Sequence, residues 1–250
     1  TPTHHVLYHG SEEDYFIAKQ SLLQQIKPKG LVILNRDMEG FSRIASGSSR
    51  IESVGVHPES DLMITSVESS PERGIHMKCH YHGQSYEFSS PLVGNFQAYN
   101  IGQAFLALNQ LGVHPEEFSE ALRFITQIPG RWEIIEVPKI PFTVIIDKAN
   151  TVASLEALFH NLQQRGFHRK ILVYGQVGGG ESTQRTKTGS LFHQHFGRII
   201  LTTDDPENED PMIGIQQFMQ GIPISDQKKV SIQLDREKAI TEAFLEAKPN

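Results

Sequence analysis

The sequence predicts an α/β protein in two parts, helices with a β meander first and a parallel sheet flanked by helices second. Three observations carry this. Between Ile51 and Ser89, short alternating or β-branched strands follow one another at turn signals. From about Arg131 onward, strands and helices alternate instead. The strands of this second part, such as "RIILTT", are continuous apolar runs, as expected where a parallel sheet is covered on both faces. The boundary is expected at Arg131, giving parts 1–130 and 131–250.

The elements follow in order. "SEEDYFIAKQSLLQQI" predicts a helix, with Ser11 as N-cap, Asp14 at the third helical position, and Tyr15, Ala18, Leu22 and Ile26 at helical spacing. "GLVIL" predicts a buried strand. The meander contains "DLMITSVESS", "GIHMKCHYH" and "SYEF", separated by turns at Pro71, Gly74 and Gly83. "NFQAYNIGQAFLALNQLGV" predicts a helix ending at Gly112, and "HPEEFSEALRFI" a second with Pro115 in its first turn. In the second part the strands are "FTVIID", "KILVYG", "RIILTT" and "VSIQL". The helices between and after them are "TVASLEALFHNLQQRG", "SLFHQHFG", "DPMIGIQQFMQG" and "DREKAITEAFLEA".

Composition narrows the classes. The 250 residues are 38% hydrophobic and 21% charged, which suits one large domain or two smaller ones. A net charge of -6 gives no reason to expect nucleic acid, whose phosphates favour a basic face. No apolar run reaches the ~18 residues of a membrane span, and "TPTHHVLYHG" lacks the features of a signal peptide. The single cysteine, Cys79, rules out an intrachain disulfide and fits a reducing cytoplasm. Its place in an alternating run reads as a buried strand position rather than a reactive thiol. No methionine opens the chain and "FLEAKPN" ends it abruptly, so both ends are expected to lie inside a longer protein.

"VYGQVGGGES" is the chemically suggestive stretch, a glycine cluster at the end of an apolar strand. It lacks the lysine of a nucleoside-triphosphate loop and the spacing of a dinucleotide fingerprint. By spacing it reads equally as a ligand loop, in the place where doubly wound sheets bind ligands, or as a plain tight turn.

Six stretches, in order, resemble the Mur ligase family, in particular its UDP-N-acetylmuramoyl-tripeptide synthetase type. The resemblance covers essentially the whole chain. It implies the later part of a central domain in residues 1–130 and a Rossmann-like C-terminal domain in residues 131–250. "YHGSEEDYFIAK" is similar to a segment ending in a lysine that becomes carbamoylated, here Lys19. Carbamoylation would turn an ammonium into an anionic oxygen ligand suited to Mg²⁺; the alternative is a surface lysine. The family histidine that helps hold metal corresponds to His5, or to His4, in "THHVLYHG". "LVGNFQAYNIGQAFLAL" resembles G-x-F-N-x-x-N, whose asparagines contact adenine: Asn100 matches, and Gln97 replaces the first asparagine.

"IPGRWEII" resembles P-G-R-[MW]-E. There the hinge arginine, Arg131, is implied to reach nucleotide phosphates, with Glu133 ordering the hinge. "VIIDKANTVASLEALF" resembles D-Y-A-H-[TN]-P. Asp147 is implied to bind a ribose hydroxyl, while Lys148 and Asn150 replace a tyrosine and a histidine at this nucleotide-binding turn. "GQVGGGESTQRTKTG" keeps Gly175, Gly178, Arg185 and Gly189 in register, so the loop is expected beside the nucleotide and substrate cleft, with Arg185 on the substrate side. In "LTTDDPENEDPMIGI", Asp205 and Pro206 precede the residue associated with the incoming amino acid, here Glu207. An arginine there goes with diaminopimelate. Glu207 suits a cationic side chain such as that of lysine, or else is a solvated helix start.

The resemblance thus implies an ATP- and Mg²⁺-dependent ligase joining an amino acid to a UDP-MurNAc-peptide through an acyl phosphate. The alternative is a non-catalytic relative that binds these molecules or a protein partner. The family's G-T-x-G-K-T loop falls before Thr1 and its G-K-G-x-[DE] segment after the final strand. Residues 1–250 alone are therefore expected to lack turnover.

Overall fold

The structure, a computed structural model, describes residues 9–27, 29–45, 50–179 and 182–249. The chain folds into two compact units. One holds Phe16–Glu133 with Ile146–Lys148. The other holds Ile134–Ile145, the residues from Ala149 onward and the described residues up to Tyr15.

The first unit is built on a five-stranded sheet in the order β1-β2-β3-β4-β5. Its strands are β1 (Val32–Asn35), β2 (Ile51–Gly55), β3 (Leu62–Ser70), β4 (Gly74–Tyr81) and β5 (Gln84–Ser90). The expected meander holds for β3, β4 and β5, which pair antiparallel. It does not extend to β2, which pairs parallel with both β1 and β3. Only Val54↔Leu62 and Gly55↔Met63 pair across β2 and β3. The chain therefore steps sideways and carries on in the same direction, and the long crossover of a fully overlapped parallel pair is not needed. His82 and Gly83 close the β4–β5 hairpin at φ 48° and 76°, the positive pair a two-residue primed turn requires.

Alternation along β4 sends Ile75, Met77, Cys79 and Tyr81 inward. Burial pushes the Cys79 thiol up to about 12, which keeps it an inert core group. The helix Gln97–Gln110 covers this face and seats Phe105, fully buried, among Tyr81, Tyr86, Phe88 and Phe118 with ring centroids 5.0 to 5.8 Å apart. A Cβ at Gly102 would lie 2.7 Å from Val54 Cγ1, so glycine sets how closely helix and sheet approach. Buried Glu52 accepts hydrogen bonds from Tyr81 Oη and Gln110 Nε2, both at 2.9 Å, tying β2 to β4 and to the helix end.

After the first unit's helices the chain forms β6 (Glu133–Ile135) and β7 (Val144–Ile146). β7 departs from expectation: it pairs with β6, the chain folding back through Lys139 at φ 70°. In the second unit β8 (Ile171–Gln176), β9 (Arg198–Thr203) and β10 (Val230–Ile232) form a parallel sheet in the order β10-β9-β8. Ile199, Ile200 and Leu201 are buried in succession, the sign of a strand covered on both faces. The helix Val152–Gln164 starts at Thr151, whose side chain accepts from Ser154 N, and stops at Gly166, φ 67°. Asp210 and Asp235 cap the helices Pro211–Gln220 and Arg236–Glu246 in the same way.

The helix expected over residues 190–197 is longer, Ser182–His195. Its inward face is Arg185, Thr188, Gly189 and Phe192, which carries no apolar stripe. A Cβ at Gly189 would lie 2.0 Å from Phe218 O, and one at Gly221 would lie 1.9 Å from Thr186 O. This helix and Pro211–Gln220 thus touch backbone to backbone, a contact that hydrophobic periodicity does not encode. Among the described residues, no helix is long and apolar enough to cross a membrane.

Candidate functional site: a pinned turn and a clasped glycine loop

The N-terminal residues form a helix, Glu12–Ser21. Ser11 caps it: its Oγ accepts from Asp14 N at 3.0 Å and donates to Asp14 Oδ2 at 2.6 Å. Phe16 and Gln20, one turn apart, face the short helix Phe41–Ala45. The Arg43 guanidinium lies 4.1 Å from the Phe16 ring and Arg43 O accepts from Gln20 Nε2. Lys19 is exposed. His4 and His5 lie outside the described residues. Among the described residues, no cluster of three or more His, Cys, Asp or Glu side chains could hold a metal ion.

In the helix Gln97–Gln110, Asn100 is exposed and donates from Nδ2 to Gln97 Oε1 at 2.9 Å. Gln97 itself is buried. Its amide oxygen serves to orient Asn100, a link that the aligned spacing of the two residues does not reveal.

The turn Gly130–Glu133 is pinned by successive amides. Gly130 N donates to Glu133 Oε2 at 2.7 Å, Arg131 N to Ile128 O at 2.9 Å, and Trp132 N to Asp147 Oδ2 at 2.7 Å. Gly130 O accepts from Lys148 N at 2.9 Å. Gly130 sits at φ 70° and Trp132 at φ 51°. The Trp132 indole is buried while the Arg131 side chain between them is exposed. The Lys148 stem lies over Gly130, where an added Cβ would come 2.8 Å from Lys148 Cε. Asn150 is exposed two residues on. The turn is thus a rigid base carrying an exposed cation, a shape suited to gripping an anion.

The glycine loop after β8 is clasped to the turn after β9. Gly178 N donates to Asp205 O at 2.7 Å, and a Cβ at Gly178 would lie 2.0 Å from Pro206 O. Gly179 N donates to Glu209 Oε2 at 3.1 Å. Arg185, 5% exposed, sits beneath. It pairs with both Glu209 oxygens and also donates to Gln217 Oε1 and Val177 O. Arg185 holds the Glu209 carboxyl below its ordinary range. The Arg185 donors are thus engaged inside the fold. Asp205 and Glu207 are exposed, Glu207 at φ 49° with its N–H on Asp205 Oδ1. Glu209 completes the clasp, though no motif in the sequence marks it. Only its reach to Arg185, 24 residues away, distinguishes it from the other acids of "ENED".

Residues 2–108 match the family model of the Mur ligase middle domain, and residues 130–250 that of the Mur ligase glutamate ligase domain. The chain belongs to the Mur ligase family. This member is similar to the UDP-N-acetylmuramoyl-L-alanyl-D-glutamate--2,6-diaminopimelate ligase of Aquifex aeolicus (strain VF5). The two are 33% identical over 244 residues, 98% of this chain and 49% of that protein. It is 31% identical to the protein of the same name from Nostoc sp. (strain PCC 7120 / SAG 25.82 / UTEX 2576) over 249 residues, 98% of this chain and 50% of the relative. The chain spans about half the length of the curated relatives it matches. In fold it resembles a crystal structure of MurF from Acinetobacter baumannii, with a TM-score of 0.72 at 18% identity over 97% of this chain and 51% of that one. It also resembles MurF ligase from Thermotoga maritima in complex with ADP, with a TM-score of 0.68 at 14% identity over 98% of this chain and 54% of that one. Among Mur ligases, then, this chain carries middle-domain and C-terminal-domain sequence.

Proposed function

We propose that the protein containing this chain is an ATP-dependent acid–amino acid ligase of peptidoglycan precursor synthesis, working in the cytoplasm. In this reading residues 1–130 complete its middle domain and residues 131–250 contribute its C-terminal domain. The observation that carries the proposal is the exposed Arg131 on a turn pinned by its amides, within a chain 33% identical to a diaminopimelate ligase. A carboxylate oxygen of a UDP-MurNAc-peptide attacks the γ-phosphorus of ATP and ADP leaves. The amine of the incoming amino acid then attacks the acyl carbon and phosphate leaves. Such catalysis is positioning and charge neutralisation.

Arg131 neutralises nucleotide phosphate, Asn100 and Asn150 lie along the nucleoside, and Asp147 stands at the ribose. Asp205, Pro206 and Glu207 meet the incoming amino acid, on a turn that Arg185 steadies from below. Mg²⁺ and a carbamoylated Lys19 belong to this scheme by resemblance, with His5 as a further ligand. Lys19 and His5 would hold the ion, which would neutralise phosphate charge when bound, and no step is routed through it. The amino acid favoured is L-lysine, since a carboxylate at Glu207 repels the distal carboxylate of diaminopimelate and attracts an ammonium.

The test uses the chain extended upstream, with phosphate release measured on UDP-MurNAc-dipeptide and ATP with lysine or diaminopimelate. Lysine-dependent turnover is expected. Turnover with diaminopimelate alone would overturn the choice of amino acid, and none with any amino acid would overturn the activity. Lys148 and Asn150, in place of the family tyrosine and histidine, favour as second reading a non-catalytic protein that binds the same molecules. Normal turnover by the extended chain would exclude it.

A further inference from the structure

Trp132 carries two local costs. It is a bulky residue at φ 51°, a left-handed conformation that is strained for a residue with a Cβ. The residue is only 6% exposed, and its indole Nε1 is buried without a hydrogen-bond partner among the described residues. A residue stays in such a state only where its surroundings over-determine it. The contact that acts on its backbone is the Asp147 carboxylate, which accepts the Trp132 N–H at 2.7 Å. An N–H donating to a carboxylate makes a charge-assisted bond, about twice as strong as a neutral one.

We propose that Asp147 is a positioning residue for Arg131. Its carboxylate clamps Trp132 in the left-handed conformation, and this fixes the direction in which the preceding residue leaves the chain. Gly130 and Glu133 hold the other side of the same turn, so Arg131 projects from a base fixed at both ends. Losing the clamp releases Trp132 to an ordinary backbone conformation, withdraws the indole from its site and lets Arg131 sample many directions. This role is separate from any contact of Asp147 with ribose, and its link to nucleotide binding rests on the function proposed above.

Trp132 is the chain's only tryptophan, so its fluorescence reports on this turn alone. The experiment uses residues 1–250 without nucleotide. Asp147→Ala is expected to shift the emission to the red and raise quenching by acrylamide, whereas Asp147→Asn, which keeps an acceptor oxygen, restores both toward wild type. Unchanged emission and quenching in Asp147→Ala would overturn the proposal. If far-UV circular dichroism shows that the alanine variant does not fold, amide hydrogen exchange on the wild type decides. Slow exchange of the Trp132 N–H supports the clamp, and exchange as fast as in an open loop overturns it. Titration of the upstream-extended protein with ATP then adds a second readout, in which Asp147→Ala weakens binding by about tenfold and the asparagine variant by less. Wild type that binds no ATP, with the fluorescence contrast intact, would count against the proposed function and leave the clamp standing.

Discussion

Arg185 and Glu209 form a two-pronged ion pair, Nη1 to Oε1 at 2.9 Å and Nη2 to Oε2 at 2.6 Å, beneath the loop that carries Gly178 and Gly179. The pair makes that loop a structural clasp. Glu209→Ala leaves the buried guanidinium without its counter-charge and is expected to cost about 3 kcal/mol. Urea unfolding of residues 1–250 checks this, and a loss within the error of the fit would contradict it.

The same pair sets an acid dependence. Arg185 keeps the folded-state Glu209 carboxyl below its ordinary value of 4.5. A depressed carboxylate contributes stability that is present above that value and lost as pH falls through the lower folded one. Melting curves of wild type are expected to fall more steeply below pH 4.5 than those of Glu209→Gln. Parallel curves would mean the carboxylate is not linked to folding.

Gly178→Ala places a methyl group against Pro206 O, where 2.0 Å is available. The loop and the Asp205–Pro206 turn must part. Overpacking of this kind costs about 1–3 kcal/mol. Differential scanning calorimetry should register the loss, whereas Gly83→Ala, whose added Cβ meets nothing within 4 Å, strains only its own φ 76° turn. Equal melting temperatures for Gly178→Ala and wild type would refute the close approach.

Glu52 is buried with Tyr81 and Gln110 on its two oxygens. Burial, and then the Glu52 hydrogen bond, push the Tyr81 hydroxyl up to about 12. Glu52→Ala strands both partners and is expected to destabilise the first unit by about 1–3 kcal/mol. Absorbance titration of the tyrosines adds a separate check: one of the tyrosines raised to about 12 should move down in the variant.

Glu207 stands exposed on a left-handed turn beside Asp205. In the upstream-extended protein, Glu207→Arg is expected to shift the preferred amino acid from lysine toward diaminopimelate, because the new guanidinium pairs with the distal carboxylate. Competition between the two amino acids, read by product mass, measures the shift. An unchanged product ratio would remove Glu207 from the specificity argument.

Much of this fold is written in local chemistry. The alternation in "GIHMKCHYH", the glycines that end helices at Gly112 and Gly166, and the caps Ser11, Thr151, Asp210 and Asp235 all act within a few residues. Period and turn type are properties of neighbouring residues, so the sequence by itself determines strands β3 to β5, most helices and the run of family motifs. Other features depend on partners distant in the chain. The β2–β3 step, the β6–β7 pairing, the full length of the helix Ser182–His195 and the burial of Arg185 each answer to such a partner. A glycine face looks the same in sequence whether it bends freely or meets another backbone at van der Waals distance. An arginine likewise reads as a ligand-binding cation until a carboxylate 24 residues away is seen to hold it. Tertiary structure alone decides these, because close packing and charge pairing depend on distance in space, which the order of residues does not fix.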